Sequence, residues 1–374
     1  MEYSLFGKTG AMVSRLGCGC MRLPETEING KAEVDVEAAV EMLRKAYGYG
    51  VNYFDTAYFY HGGRSEVVLG KALEGIREKV FVATKSPGHL VKKAGDYRRL
   101  LDEQLKRLNT GYIDFYHFHG ISWDGFHKTD ENSGWRADAL KAKEEGLVRH
   151  LSFSFHSKDP GDLKALVELG IFESVLCQYN ALDQSNEDGM AFAKEKGLGV
   201  TVMGPLGGGR ISGLPKTVAE QLGIKVAASA EMGLRFVAAN PNIDVILSGM
   251  SSTRQLDENV EYVSRLEPLS EAEVEGIGAM VRENKRLSKL YCTGCRYCLP
   301  CPHEVNIPHI FQCMNYYKVY DIKEYARREY ANTGSVWIPG KKADACTDCG
   351  ECEKKCPQSI NIRDQLKECL DVLG

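Results

Sequence analysis

The sequence predicts an α/β protein: a (β/α)8 barrel of the TIM type followed by a small, mainly α-helical C-terminal domain. Three observations carry this. Apolar, β-prone runs alternate with helical stripes eight times over about the first 270 residues. Polar groups able to do chemistry, Asp55, Lys85 and His119, close consecutive strands, which is where such a barrel presents its site. Of the thirteen cysteines, only Cys18, Cys20 and Cys177 precede residue 292. A doubly wound open sheet is the alternative, but it needs a glycine fingerprint after the first strand, and the sequence has none.

At 374 residues the chain suits one large domain and one small one, taken as 1–282 and 283–374. Hydrophobic content of 43% and charged content of 26% fit a globular protein with a large core. A net charge of −4 without a basic stripe argues against nucleic acid. The N-terminus lacks the apolar core of a signal peptide, and no run is long enough to span a bilayer. A cytoplasmic chain without membrane contact is expected. Cysteines crowded into the tail of such a chain favour metal ligation over disulfides.

In order, a β-hairpin with Gly7–Gly10 at its turn opens the chain, and Ser14–Gly19 reads as the first barrel strand. Val36, Val40, Leu43 and Tyr47 share one helix face. Tyr53–Asp55 is the second strand, with a helix over Ser65–Leu73. Val80–Thr84 is the third, and Leu101, Leu105 and Leu108 mark a helix ending before Gly111. Ile113–Phe118 is the fourth, followed by a long polar loop with Trp123 and Trp135 and a helix at Ala137–Glu145. The fifth and sixth units are His150–Ser154 with Asp162–Leu169, and Ser174–Gln178 with Glu187–Lys196. Gly199–Met203 leads into the loop GPLGGGR and a helix through Val226–Ala239. Val245–Ser248 is the eighth strand, with Leu256, Val260 and Val263 striping its helix.

The stretch GVNYFDTAYFYHGG organises the chemistry. Asp55 ends a strand, and Tyr60 follows in a loop rich in Tyr, His and Gly. A free tyrosine, with a pKa of about 10, is a poor acid at neutral pH. A lysine ammonium beside it favours the phenolate and lowers that value, and Asp55 can hold the lysine. Alone, Lys85 suits a surface charge and His119 a satisfied strand-end histidine. Together, at successive strand ends, they make a site.

Five blocks, FGKTGAMVSRLGCGCMRLP, FDTAYFYHGGRSEVVLGKAL, VFVATK, YIDFYHFH and CQYNALD, resemble the aldo-keto reductases over about residues 1–270. The resemblance implies NAD(P)H-dependent reduction of an aldehyde or ketone, or the reverse oxidation of the alcohol. It assigns Tyr60 as general acid/base, Asp55 and Lys85 as its supports, and His119 as the substrate-orienting residue. For the nucleotide it implies Ser154 and Gln178 at the carboxamide, and Met203 where many relatives stack an aromatic ring. Phe155 and Leu176 replace a customary Asn and Gln. Gly204, Leu206 and Gly208 lie in a loop whose backbone N–H groups can approach a pyrophosphate. Gly249 and Arg254 open the last helix, whose N-terminus suits phosphate. Glu258 and Asn259 match adenine-side contacts. Arg254 points to NADP(H), with NAD(H) the alternative.

The tail carries C-TG-C-RY-C-LP-C-P and then C-TD-C-GE-C-EKK-C-P. The second run has the bacterial ferredoxin spacing, in which the fourth cysteine of each run ligates the other cluster. Two [4Fe–4S] clusters are expected. One takes Cys292, Cys295, Cys298 and Cys356; the other takes Cys346, Cys349, Cys352 and Cys301. Zinc is the alternative, but a C-x2-C-x2-C triple followed by Cys-Pro is not its usual spacing. Ile310–Tyr330, between the runs, reads as helix. The tail resembles an α-helical ferredoxin module, and the whole chain the iron–sulfur branch of the aldo-keto reductases. Cys313 and Cys369 read as packing residues. Cys18 and Cys20 read equally as small core residues or as neighbours of the site.

Hydride chemistry moves two electrons and a cluster moves one, so coupling them needs a splitter such as a flavin, and no motif identifies one. The readings are a carbonyl reductase with clusters that are structural or dock an electron-transfer partner, a redox enzyme passing electrons through the clusters, or a binding module on a retired barrel. Retention of Asp55, Tyr60, Lys85 and His119 counts against the last. The substrate cannot be read from the loops.

Overall fold

The computed structural model describes residues 1–28, 31–157, 159–181, 183–207, 229–265, 269–270, 273, 277, 298–318, 322–356 and 360–374. Strands β1 (Tyr3–Leu5) and β2 (Met12–Ser14) form the opening antiparallel hairpin. Gly7, in its turn at φ +56, packs so tightly that a Cβ would lie 2.3 Å from the Gly199 nitrogen. The hairpin thereby sets Phe6 edge-on against Tyr53 and Phe115 in the barrel interior.

The expected first barrel strand splits. Ser14 ends β2, and only β3 (Leu16–Gly19) joins the barrel. An unanticipated hairpin follows, β4 (Glu25–Ile28) with β5 (Lys31–Val34). The remaining barrel strands are β6 (Tyr53–Asp55), β7 (Phe81–Ser86), β8 (Ile113–Ile121), β9 (Val148–Phe155), β10 (Ser174–Gln178), β11 (Gly199–Met203) and β12 (Val245–Gly249). They close in the order β10-β11-β12-β3-β6-β7-β8-β9, every pair parallel. Tyr53, Ala83, Phe115, Leu176, Val245 and Leu247 fill the interior, so the barrel is a packed core.

The surrounding helices bury one stripe each. In Val36–Gly48, Asp35 caps the N-terminus by accepting from Ala38 N, and Ala39, Met42, Leu43 and Ala46 are the deeply buried residues. Val36, Val40 and Tyr47, expected to lead that face, are only partly buried. The long loop expected after the fourth strand is helical. Ser122 caps Trp123–Ser133, Gly134 turns left-handed, and Trp135–Glu144 follows. The missed signal is a cap residue, Ser, before an aromatic-rich segment.

One compact unit comprises Met1–Leu206 and Glu231–Leu269, and a second takes in Ser270–Gly374. Its described part is mainly helical: Ile307–Lys318, Lys323–Ala331, Glu351–Lys355 and Ile362–Leu373. The single helix expected over Ile310–Tyr330 is thus two, the second starting after Ile322. Cys313 and Cys369 are fully buried in this unit's core. Among the described residues, no helix is long and apolar enough to cross a membrane.

Candidate active site and cysteine cavity

Parallel register brings the candidate residues together. Gly19 lies beside Asp55, Asp55 beside Ala83, and Lys85 beside His117 at the C-terminal ends of β3, β6, β7 and β8. Lys85 is 1% exposed. Its Nζ donates to Asp55 Oδ1 at 2.5 Å and to Thr56 O at 2.6 Å, and stands 4.8 Å from the Tyr60 ring centroid. Burial drags the ammonium down, but Asp55 and Tyr60 outweigh it and hold Lys85 above the ordinary lysine range. Burial likewise raises the Asp55 carboxyl against the pull of Lys85.

Tyr60 opens a tight turn, with His61, Gly62 and Gly63 in the left-handed region. Its phenol departs from the expectation of a lowered pKa. Burial pushes it up, Lys85 pulls it down, and the result is above the ordinary value. A phenol so placed stays protonated at neutral pH. Cys18 and Cys20 are fully buried in the barrel's hydrophobic core cluster, and Cys20 also adds a small upward push on Tyr60.

His119 faces Tyr60 edge-on, with ring centroids 6.5 Å apart. The β8–β9 register breaks between Phe118 and Ile121, and Gly120, at φ +64, donates its N–H to Ser154 Oγ at 2.7 Å. A bulge of this kind re-aims a side chain. Burial, then Lys85 and neighbouring histidines, drive the His119 pKa well below the usual range, so its imidazole is neutral.

A buried polar network behind these residues was not expected. Gln104 donates to Glu66 Oε1 (2.6 Å), Thr84 Oγ1 (3.0 Å) and Lys85 O (3.2 Å), and accepts from Tyr116 O–H (2.5 Å). Glu66 also accepts from Thr84 (2.7 Å) and Arg107 (3.2 Å). Ser65 links Thr56 Oγ1 (2.8 Å) to Cys20 O (2.9 Å). The helix after Tyr60, the strand of Lys85 and the strand of His119 are therefore tied by one carboxylate and one carboxamide. The available signal was a polar residue inside an apolar stripe: Gln104 sits between Leu100 and Leu108, each four residues away.

The nucleotide candidates fall at the ends of the following strands. Ser154 is buried, and Gln178 pairs in register with Met203. Gly204, at φ +63, lies so close to Gln178 that a Cβ would meet its Oε1 at 2.6 Å, so only glycine lets the loop pass here. Leu206 packs partly buried against the barrel core, and Gly249 is exposed. Gly208 and the rest of the loop to Arg210 lie outside the described residues. The Arg254 side chain is 84% exposed and pairs with Glu258 at 3.5 Å. Asn259 is committed inward, donating to Ser248 Oγ at 3.0 Å.

In the second unit, Cys301, Cys346, Cys349 and Cys352 line one small cavity, together with Cys298, Lys355 and Arg363. Asp348 and Gly350 are left-handed, curling the loop between the cysteines. Arg363 braces it, donating to Glu353 Oε2 at 3.1 Å and to Asp348 O at 3.5 Å. Among the described residues no three Cys, His, Asp or Glu side chains converge on a single metal ion. Cys356 does not line this cavity, and Cys292 and Cys295 lie outside the described residues.

Comparison with known proteins gives a family for each part of the chain. Residues 15–282 match the aldo/keto reductase family, and residues 291–361 match a 4Fe-4S dicluster domain. L-galactose dehydrogenase of Arabidopsis thaliana is 31% identical over 72% of this chain and 90% of its own length. The NADH-specific methylglyoxal reductase of Escherichia coli is 29% identical over 55% of this chain and 68% of its own. A holo aldo-keto reductase structure from Bacillus halodurans superposes with TM-score 0.61 and 26% identity, covering 75% of this chain and 96% of that one. The chain belongs to the aldo/keto reductase family. It is an oxidoreductase that also carries a 4Fe-4S domain.

Proposed function

Starting from that membership, we propose that the barrel reduces an aldehyde or ketone, with Tyr60 as the general acid. The observation that carries this is the buried Asp55–Lys85 pair set against the Tyr60 phenol, with His119 facing its edge. Bound reduced nicotinamide supplies the hydride. The substrate oxygen lies between the Tyr60 hydroxyl and the neutral His119 N–H, and both donate to it. As charge develops on that oxygen, Tyr60 releases its proton, and the Lys85 ammonium stabilises the phenolate left behind. Asp55 keeps the ammonium in position. Ser154 and Gln178 would hold the carboxamide, with Met203 alongside. Gly204, Leu206, Gly208 and the Gly249–Asn259 segment would serve the phosphates and adenine. Arg254 supports NADP(H), while its pairing with Glu258 and the NADH-specific relative support NAD(H) as the alternative.

The tail is read as holding two [4Fe–4S] clusters with the ligand sets assigned from spacing, and the domains as dividing near residue 282. A second reading, electron transfer through the clusters to a partner protein, is favoured by Cys349, which lines the cavity and is exposed. An anaerobic titration with NADPH and NADH tests both, followed by nicotinamide fluorescence, cluster absorption and turnover of an aldehyde panel. Tyr60→Phe should bind nucleotide normally and lose about 10²- to 10⁴-fold in kcat. Full activity in that variant ends the first reading. Bleaching of the clusters by nucleotide alone would support the second.

A further inference from the structure

Two histidines beyond His119 stand at the candidate mouth, and the chemistry above does not use them. His156 follows β9 directly, and its ring centroid is 6.5 Å from that of His119. It packs beside Gly120, where a Cβ would meet the His156 ring at 3.4 Å, an ordinary contact distance. His89, in the turn after β7, stacks on Phe59 at 5.0 Å and 23°, and Phe59 is the neighbour of Tyr60 in the chain. Both residues are exposed overall, while their rings are partly desolvated by the groups packed around them. Three imidazoles, from the ends of β7, β8 and β9, thus gather at the mouth: His119 faces Tyr60, His156 neighbours His119, and His89 stacks on Phe59.

A neutral imidazole carries one donor and one acceptor, as a hydroxyl group does. All three histidines are held below the usual range, burial being the leading cause for each, so all three are neutral at pH 7. The ammonium acting on His119 and His156, Lys85, is already held by Asp55, and the one acting on His89 is Lys92. We propose that His89 and His156 are specificity residues that hydrogen-bond hydroxyl groups beside the reacting carbonyl, making a polyhydroxylated aldehyde or ketone the preferred substrate class. The proposal rests on the carbonyl-reductase reading and adds the substrate class to it.

The test compares kcat/KM for glyceraldehyde and butanal in the full-length holoenzyme and in His89→Leu, His156→Leu and the double variant. Wild type should prefer glyceraldehyde. Losing two neutral hydrogen bonds should reduce that preference by about 10- to 100-fold in the double variant. A preference that survives in the variants, with both rates falling together, overturns the proposal, as does a wild type that prefers butanal. If wild type reduces neither aldehyde, the carbonyl-reductase reading has failed separately. Glycerol and butanol are then titrated while the His89 and His156 imidazole resonances are followed by NMR. Shifts produced by glycerol and not butanol sustain hydroxyl recognition, and equal or absent shifts overturn it.

Discussion

At the barrel mouth Lys85 is gripped by two oxygens at 2.5 and 2.6 Å and is as buried as the surrounding core. At the cysteine cavity the candidate ligands run from Cys352, buried, to Cys349, exposed, on a loop that turns through left-handed residues. Strand ends in a closed barrel are fixed by hydrogen bonds on both sides, so side chains placed there hold their geometry without a ligand. A loop of cysteines has no such lattice. Its geometry is completed by the metal bound to it, and binding energy is then folding energy. The barrel site is therefore expected to be independent of the cluster site, and the tail is expected to depend on bound iron.

The largest effect that could break this contrast comes from the cysteines. Cys352→Ala should abolish one cluster, read as iron and sulfide content and lost visible absorption, while aldehyde reduction per folded chain persists. Loss of reduction in parallel with iron would show that the two sites are coupled. Lys85→Met attacks the barrel side. It leaves Asp55 buried without its counter-ion, at a cost of about 3–5 kcal/mol in a urea unfolding curve, and kcat collapses with it. A variant as stable as wild type would mean that Asp55 is neutral in the folded protein.

Gln104→Leu is the subtler probe. It removes the amide that ties Lys85 O to Glu66 and Tyr116, without touching the reacting groups. Small displacements of positioned groups cost up to about 10²-fold, so kcat should fall about 10- to 100-fold with KM little changed. The paired exchange Glu66→Gln with Gln104→Glu restores an acid–amide pair and should recover part of the loss. Failure of the exchange to recover any rate would reduce the network to packing. The smallest effect is in the pH profile. Because burial holds Tyr60 above a tyrosine's ordinary pKa, the proton-donating form persists to high pH. Reduction should stay level until about pH 10 and decline beyond it, while alcohol oxidation, which needs the phenolate, rises over the same range. A midpoint near neutrality for reduction would contradict this.

Much of the fold and of the candidate site was legible because it is written in short-range pattern. Alternating apolar runs and helical stripes give eight βα units, and strand-terminal Asp55, Lys85 and His119 mark a mouth wherever the strands lie. Cysteine spacing is local too, so a cluster module could be read without knowing its folding. Less legible was the segment after β8, where aromatic and polar residues read as loop and the cap at Ser122 makes helix.

The chain by itself therefore determined the barrel, the residues at its strand ends and the presence of a 4Fe-4S domain in its tail. Tertiary structure decided what those residues are like. Tyr60 sits next to a cation in sequence-derived terms, yet burial outweighs that cation and reverses the direction of its pKa. Gln104 and Glu66 are ordinary helix residues until folding sets them behind Lys85, and His89 and His156 gain meaning only from their nearness to His119. The physical reason is range. Periodicity and spacing act over a few residues, whereas desolvation and charge coupling depend on everything that packs within several ångströms, whatever its distance along the chain.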